Sequence, residues 1–407
     1  MTSTIPAPPR GRPTAAGAAL ADVYREVRSH TERLCEPLEI EDYVVSSMPD
    51  VSPTKWHLAH TSWFFETFVL APNDPSYAPF NPKYSFLFNS YYVQAGERHC
   101  RAQRGLVTRP TVRDVYAYRR YVDDHMLGLL ERLDDTQVVT LGLHHEQQHQ
   151  ELMLTDIKHV FWTNPTRPAY DCAARREYRV VSTNATSCFT TVTTRGDVHT
   201  IGHADDGFAF DNETPAHRVF VEPFEIRAHL VTNGEYLEFI EDGGYRRPDL
   251  WLAAGWALVR EASREAPLYW ERTPDGWTEF TLAGTEPLAL EAPVCHVSYF
   301  EADAFARWAG CRLPTEAEWE IAARAMAELP QLYGERWQWT QSPYVAYPGY
   351  KPAAGALGEY NGKWMSDQWV LRGSSLATPP GHARVTYRNF FPSDTRWQFT
   401  GIRLASS

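Results

Sequence analysis

The strongest chemical signal in the chain is a pair of histidines four residues apart, in the string His145-Glu146-Gln147-Gln148-His149. On a helix, residues at that spacing lie about 40° apart around the axis, so both imidazoles can face one ion. The string also fits H-E-x-x-H, in which two histidines hold zinc and the glutamate, here Glu146, is the general base of a metalloprotease. The extended form of that pattern calls for glycine at 152 and histidine at 155, and this chain has Leu152 and Thr155. A zinc protease would therefore need a glutamate ligand further downstream. A second candidate stretch is Lys55-Trp56-His57-Leu58-Ala59-His60-Thr61. A histidine from this stretch, on a helix facing the first, completes a three-His site. His57 and His60 are one turn apart, and periodicity does not choose between them. Three imidazoles suit iron, zinc or copper and leave three positions open on an octahedral ion. That is enough for two substrates and dioxygen, so the residues alone favour an iron or copper oxidase over a zinc hydrolase.

Those side chains need helices to hold them, and the sequence supplies four. The first is expected over residues 20–35. Ser52 as N-cap with Pro53 at the first helical position opens a strongly apolar second helix, reaching about residue 70. Thr111 with Asp114 resembles a capping box and opens a third, to about residue 133. The fourth runs over 136–162 and is stopped by Asn164-Pro165. Helices of this length form a bundle, and bundles build metal sites from side chains on facing helices. Residues 71–110 form a long loop rich in Pro, Asn, Tyr and Phe; such loops are usually functional or disordered, and the aromatic content argues against disorder. Beyond it the composition changes. Residues 180–200 are rich in Thr and Val and read as strand. The remainder is dense in Trp, Tyr, Gly and Pro, with helices expected at 233–242, 299–310 and 315–326. This reads as an irregular α+β domain, with the boundary near 166–179 and no internal repeat.

A chain of 407 residues is too long for one ordinary core and suggests two domains. Its 43% hydrophobic and 22% charged residues are those of a globular protein. A net charge of −12 repels nucleic acid and anionic membrane, so neither is expected as a partner. No apolar run is long enough to cross a bilayer. Residues 1–19 are rich in Pro, Ala, Gly and Thr, without a basic segment followed by an apolar one, and read as a disordered tail and not a signal peptide. The six cysteines (Cys35, Cys100, Cys172, Cys188, Cys295, Cys311) are scattered and contain no C-x-x-C, which predicts reduced thiols and a cytoplasmic location.

His145-Glu146-Gln147-Gln148-His149-Gln150-Glu151, together with Leu58-Ala59-His60, resembles the ergothioneine-biosynthesis sulfoxide synthases. These are iron(II) enzymes with an N-terminal DinB-like four-helix bundle. Their C-terminal domain is similar to the formylglycine-generating enzyme and has a C-type-lectin-like fold. The resemblance extends over residues 20–404. In the second half it rests on Arg312-Leu313-Pro314-Thr315-Glu316-Ala317-Glu318-Trp319-Glu320, Trp337-Gln338-Trp339-Thr340, Leu371-Arg372-Gly373-Ser374 and Gly401-Ile402-Arg403. In the first of these, Thr315 as N-cap and Glu318 closing a capping box give the motif a structural role. The implied layout is a tail (1–19), a DinB-like bundle with the iron ligands (20–165), a linker (166–190) and a formylglycine-generating-enzyme-like domain (191–407).

The resemblance implies His60, His145 and His149 as metal ligands, selecting His60 over His57, with Fe(II) as cofactor and O2 as co-substrate. The implied reaction joins cysteine or γ-glutamylcysteine to the imidazole C2 of hercynine (Nα-trimethylhistidine) as a sulfoxide. Related alternatives are an ovothiol-type 5-histidylcysteine sulfoxide synthase and a selenoneine-forming relative. The ovothiol enzymes usually carry a methyltransferase domain, which is not expected within these 407 residues. Formylglycine generation requires cysteines near the C-terminal end, and residues 385–404 contain none.

Residue by residue, Arg101 and Arg104 match a basic pair that binds the carboxylate of the thiol substrate, a task suited to guanidinium. Gln148 matches a position that hydrogen-bonds the hercynine imidazole. Glu151 lies about 160° around the helix from His149 and is expected as a structural partner and not a ligand. Asn389 and Phe390 match the stretch bordering the trimethylammonium group. Phe391 stands where many dipeptide-using relatives carry an acidic residue, which predicts a preference for free cysteine. One branch of the family places a proton-donating tyrosine three residues before a second tyrosine. Here Tyr360 matches the second, and the first position is Leu357. Tyr91 and Tyr92 in the aromatic loop are the replacement candidates. Adjacent residues of an extended segment point to opposite sides, so one is expected to donate while the other packs or orients it.

Overall fold

The computed structural model describes residues 15–171, 189–193 and 195–406. The first fourteen residues of the expected tail, most of the expected linker and the two cysteines Cys172 and Cys188 lie outside the described residues.

Helix α1 (Ala15–Arg33) begins ahead of residue 20, inside the segment read as tail. Helix α2 (Thr54–Phe65) continues through a π-helical turn (Glu66–Leu70). The cap position falls on Pro53, one residue later than expected, and the Ser52 hydroxyl accepts from Arg104 Nη1 at 2.9 Å. Every residue of α2 is buried, which explains why its sequence carries no amphipathic stripe: a helix surrounded by neighbours has no polar face to display. After the short turns α3 (Ala71–Asn73) and α4 (Tyr84–Leu87) come α5 (Val112–Leu130) and α6 (Gln137–Thr163). The capping box of α5 forms as expected: Asp114 N donates to Thr111 Oγ1 and Thr111 N to Asp114 Oδ2, at 3.2 and 3.0 Å.

The four long helices share a buried polar knot. Arg28 of α1 donates to Glu146 of α6 (2.9 Å), to Asp123 of α5 (2.7 Å) and to Ser62 of α2 (3.0 Å). Arg119 of α5 donates to Glu146 (2.6 Å) and to the Arg28 carbonyl (2.8 Å). The long loop is tied at both ends. Glu66 accepts from Tyr77 Oη, Phe80 N and Tyr118 Oη, and Lys55 Nζ donates to the carbonyls of Val107 and Pro110.

The chain divides into two compact units, 1–150 and 151–407, and the division falls inside α6. The second unit is an irregular α+β assembly of small sheets. Strands β1 (Phe189–Thr193), β4 (Phe224–Arg227) and β12 (Ala405–Ser406) form one, and β2 (Asp197–Ile201) with β3 (His217–Val221) forms a ribbon. Strands β5 (Trp270–Thr273), β6 (Gly276–Thr281) and β7 (Gly284–Pro287) make a meander. Strands β8 (Trp337–Pro343), β9 (Gln368–Gly373), β10 (Asn389–Pro392) and β11 (Thr400–Gly401) form a four-stranded sheet in the order β10-β9-β8-β11, with β8 and β11 parallel. Helices α7 (Asn233–Glu241), α9 (Tyr299–Trp308) and α10 (Glu316–Ala325) stand where the sequence predicts them; α8 (Ala253–Glu261) was not anticipated. The Thr315/Glu318 capping box forms, and Glu318 also takes both terminal nitrogens of Arg312 at 2.7 Å, so this motif is structural. Among the described residues no helix is long and apolar enough to cross a membrane.

Candidate metal centre

Helices α2 and α6 bring three imidazoles together in the first unit. One ring nitrogen from each of His60, His145 and His149 lies within 4.8 Å of the others, and all three residues are buried. His145 Nε2 is 3.3 Å from His60 Nε2 and 3.1 Å from His149 Nε2. Metal–nitrogen bonds of about 2.0–2.1 Å separate their nitrogens by roughly 3.0 Å at a right angle and roughly 3.4 Å at the tetrahedral angle. The observed spacings fall in that range, so the donor set fits one divalent ion.

The outer ring atoms are also held. His60 Nδ1 donates to the Phe88 carbonyl at 2.6 Å, which leaves its Nε2 lone pair directed at the cluster. The His60 ring is sandwiched between Trp56 (4.5 Å, 13° between planes) and Trp63 (5.4 Å, 16°). Phe64 packs on His145 at 4.8 Å. Burial, reinforced by the neighbouring His145, pushes the His60 and His149 imidazoles well below their ordinary range, and burial takes His145 down to about 3. The three rings are therefore neutral at pH 7, the state in which imidazole binds metal.

Glu146 lies between two of these histidines in sequence, but its carboxylate is taken by other partners. It accepts from Arg28 and Arg119, and from Thr31 Oγ1 at 2.6 Å. A carboxylate ion-paired twice and fully buried is a poor general base, which removes the feature a zinc protease would depend on. Glu151 accepts from Trp337 Nε1, Ser375 Oγ and Thr378 Oγ1 within the second unit.

The two arginines differ in setting. Arg104 is buried, with its guanidinium 3.4 Å from the centre of the Trp56 ring, the same ring whose indole stacks on His60. Arg101 has a half-exposed side chain and donates to the Asp50 carbonyl at 2.6 Å. Gln148 is half-buried on α6. Tyr91 and Tyr92 do not point to opposite sides. Their rings stack at 4.5 Å and 25°, with the hydroxyls 3.5 Å apart. The segment is not extended because Asn89 folds it: its side chain accepts from Tyr92 N and donates to the carbonyls of Tyr92 and Gly96. Tyr92 is fully buried and touches Trp63 (5.6 Å) and Phe64 (6.4 Å), two of the rings packed on the histidines. Asn389, Phe390 and Phe391 are half-buried on β10 of the second unit, where Phe390 stacks on Tyr344 at 4.0 Å. Tyr360 is buried there and stacks on Phe210 at 5.5 Å. Sequence reasoning did not single out the Trp56 and Trp63 clamp. The placement of tryptophans four residues before and three residues after His60 was the available signal.

The DinB superfamily model matches residues 24–155, and the sulfatase-modifying factor enzyme 1-like domain matches residues 177–330. The hercynine oxygenase of Mycolicibacterium smegmatis is 31% identical, over 95% of this chain and 98% of its own. That of Mycolicibacterium thermoresistibile is 32% identical, over 95% and 94%. The formylglycine-generating enzyme of Streptomyces coelicolor is 36% identical, over 33% of this chain and 45% of its own. The last likeness is confined to part of the chain, whereas the first two run along almost the whole of both proteins and through both kinds of domain. The chain therefore belongs to the hercynine oxygenase family, the ergothioneine-pathway sulfoxide synthases.

Proposed function

We propose that this protein is an iron(II)- and O2-dependent sulfoxide synthase that joins cysteine, or γ-glutamylcysteine, to the imidazole C2 of hercynine. The observation that supports this most directly is the set of three buried, neutral imidazoles, His60, His145 and His149, in a chain of this family. The reaction balances without a further reductant. The C2–H and S–H hydrogens leave with one oxygen atom of O2 as water, and the other oxygen ends on sulfur. Iron held by the three imidazoles supplies the chemistry with O2 that no side chain can.

The chain's own residues bind, orient and protonate. Arg104, braced on Trp56 and on Ser52, clamps the carboxylate of the thiol substrate, with Arg101 as its exposed second arm. Gln148 hydrogen-bonds the hercynine imidazole. Tyr92 is the proton donor, and the Tyr91 hydroxyl is the link from it to solvent.

The test is anaerobic Fe(II) reconstitution, addition of O2, and mass spectrometry of products from cysteine, γ-glutamylcysteine, histidine and hercynine. Hercynylcysteine sulfoxide is expected, and each of His60→Ala, His145→Ala and His149→Ala should abolish it and leave iron well below one per chain. A product from histidine and not from hercynine would point to the ovothiol-type reaction instead. For the proton donor, Tyr92→Phe should cut sulfoxide formation in favour of plain thiol oxidation. Wild-type sulfoxide yield in Tyr91→Phe, Tyr92→Phe and the double variant would place the acid elsewhere, Tyr360 next.

A further inference from the structure

Four histidines, not three, meet between α2 and α6. His57 is 2% exposed, and its Nδ1 is 2.8 Å from the Nδ1 of His149. The other nitrogen of His149, Nε2, is the one that approaches His145. His149 is thus bridged, with the cluster on one ring nitrogen and His57 on the other. Two Nδ1 atoms at this distance share one proton, so one ring donates and the other accepts. If Nε2 of His149 is to present a lone pair to a metal, the proton of that neutral ring must sit on Nδ1. His57 Nδ1 is then the acceptor.

We propose that His57 is a positioning residue of the metal centre: by accepting from His149 Nδ1–H it fixes the tautomer and ring plane of that ligand and raises its basicity. This rests on the reading of the three histidines as a metal site. His57 and His60 therefore do different work from the same helix face. His60 donates its outer N–H to a backbone carbonyl, a neutral acceptor held by the loop at Phe88. His149 donates to a second imidazole, a more basic acceptor than an amide carbonyl. A more basic acceptor pulls harder on the N–H and makes the opposite nitrogen a stronger donor. His149 is accordingly a stronger donor than His60. With its Nδ1 directed at His149, His57 has only Nε2 left to offer a metal.

The experiment is Co(II) titration of the full-length apoprotein, followed by its d–d absorption, with thermal unfolding recorded for each variant. His57→Phe keeps a ring against Trp56, 5.6 Å away, and removes the acceptor. His57→Asn places a carbonyl oxygen near the lost Nδ1. The expected result is one Co(II) per chain in all forms, with affinity about 10- to 100-fold weaker in His57→Phe and restored to within a few-fold of wild type in His57→Asn. The d–d band should shift in His57→Phe and return in His57→Asn. Wild-type affinity and band in His57→Phe would overturn the proposal, as would equal weakening in both variants, which a packing role alone would give. Loss of bound Co(II) from both variants would make His57 a ligand and overturn it as well. If the wild-type protein itself binds no Co(II) or Fe(II), the metal-site reading fails and this inference with it; in every other case the two are judged separately.

Discussion

Glu146 decides what kind of H-E-x-x-H string this is. Burial alone would raise its pKa, but Arg119 and Arg28 overcome that and hold it at about 2. An unfolded glutamate titrates near 4.3. Because the folded value is the lower one, the ion pairs contribute their full stability above about pH 4.3, and that contribution is lost as the pH falls toward 2. Glu146→Gln removes the charge and leaves two buried guanidinium groups without it, at a cost of about 3–5 kcal/mol in urea unfolding at pH 7. The variant should also lose the acid-side slope of stability between those two pH values. A loss below about 1 kcal/mol would mean that the knot is not structural. Phe391 carries a second prediction at this scale. It offers no charge to the ammonium of a γ-glutamyl group, and a buried unpaired ammonium costs on the order of several kcal/mol. Cysteine should therefore show the higher kcat/KM. Steady-state kinetics with both thiols checks this, and a preference for γ-glutamylcysteine would overturn it.

Helices α2 and α6 approach closely because one side chain is missing. A Cβ on Gly142 would lie 2.6 Å from Phe65 Cε1 and 2.9 Å from Phe64 Cε1. Glycine at this point lets the phenyl rings of α2 lie on the backbone of α6, one turn before His145. Gly142→Ala must push Phe64, and Phe64 packs directly on His145. Overpacking of this kind costs about 1–3 kcal/mol. The expected outcome is a lower melting temperature together with weaker metal binding, read by calorimetry and Co(II) titration. An unchanged affinity at a lowered melting temperature would show that the ring shift is absorbed away from the site. The π-helical turn that ends α2 belongs to the same setting. It follows Phe64 and Phe65 directly and begins at Glu66, whose carboxylate ties down the long loop. Such turns are frequent near functional sites.

On the scale of the whole molecule, α6 is the element that both units use. Its first part carries His145 and His149 in the first unit, and Glu151, two residues on, belongs to the second. Burial raises the Glu151 pKa, and the three donors from Thr378, Ser375 and Trp337 work against that rise. Glu151→Ala takes the carboxylate acceptor from all three and strands Trp337 Nε1, a buried donor worth about 1–3 kcal/mol when left unsatisfied. The variant should unfold its second unit several degrees earlier. Wild-type unfolding in Glu151→Ala would show the contact to be dispensable.

The sequence alone located the His145/His149 pair and the helices that carry it. Spacing of four in His145 and His149, the capping boxes at Thr111 and Thr315 and the stop at Asn164-Pro165 are local signals. They depend on neighbours along the chain, so they survive without knowledge of the fold. It also gave the change from helical to irregular α+β composition. Tertiary structure decided what local signals cannot carry. His57 and His60 have equal standing on one helix face, and only the position of α6 makes one face the cluster and the other the back of His149. Tyr91 and Tyr92 stack because Asn89 bends the backbone, against the alternation an extended segment would impose. Ser52 has the type of an N-cap, and its hydroxyl also accepts from Arg104, fifty-two residues away, a contact no local signal announces. Glu146 matches a protease pattern whose meaning depends on two arginines from other helices. In each case the deciding partner is distant in sequence, and a contact made across the fold overrides a preference set by neighbours along the chain.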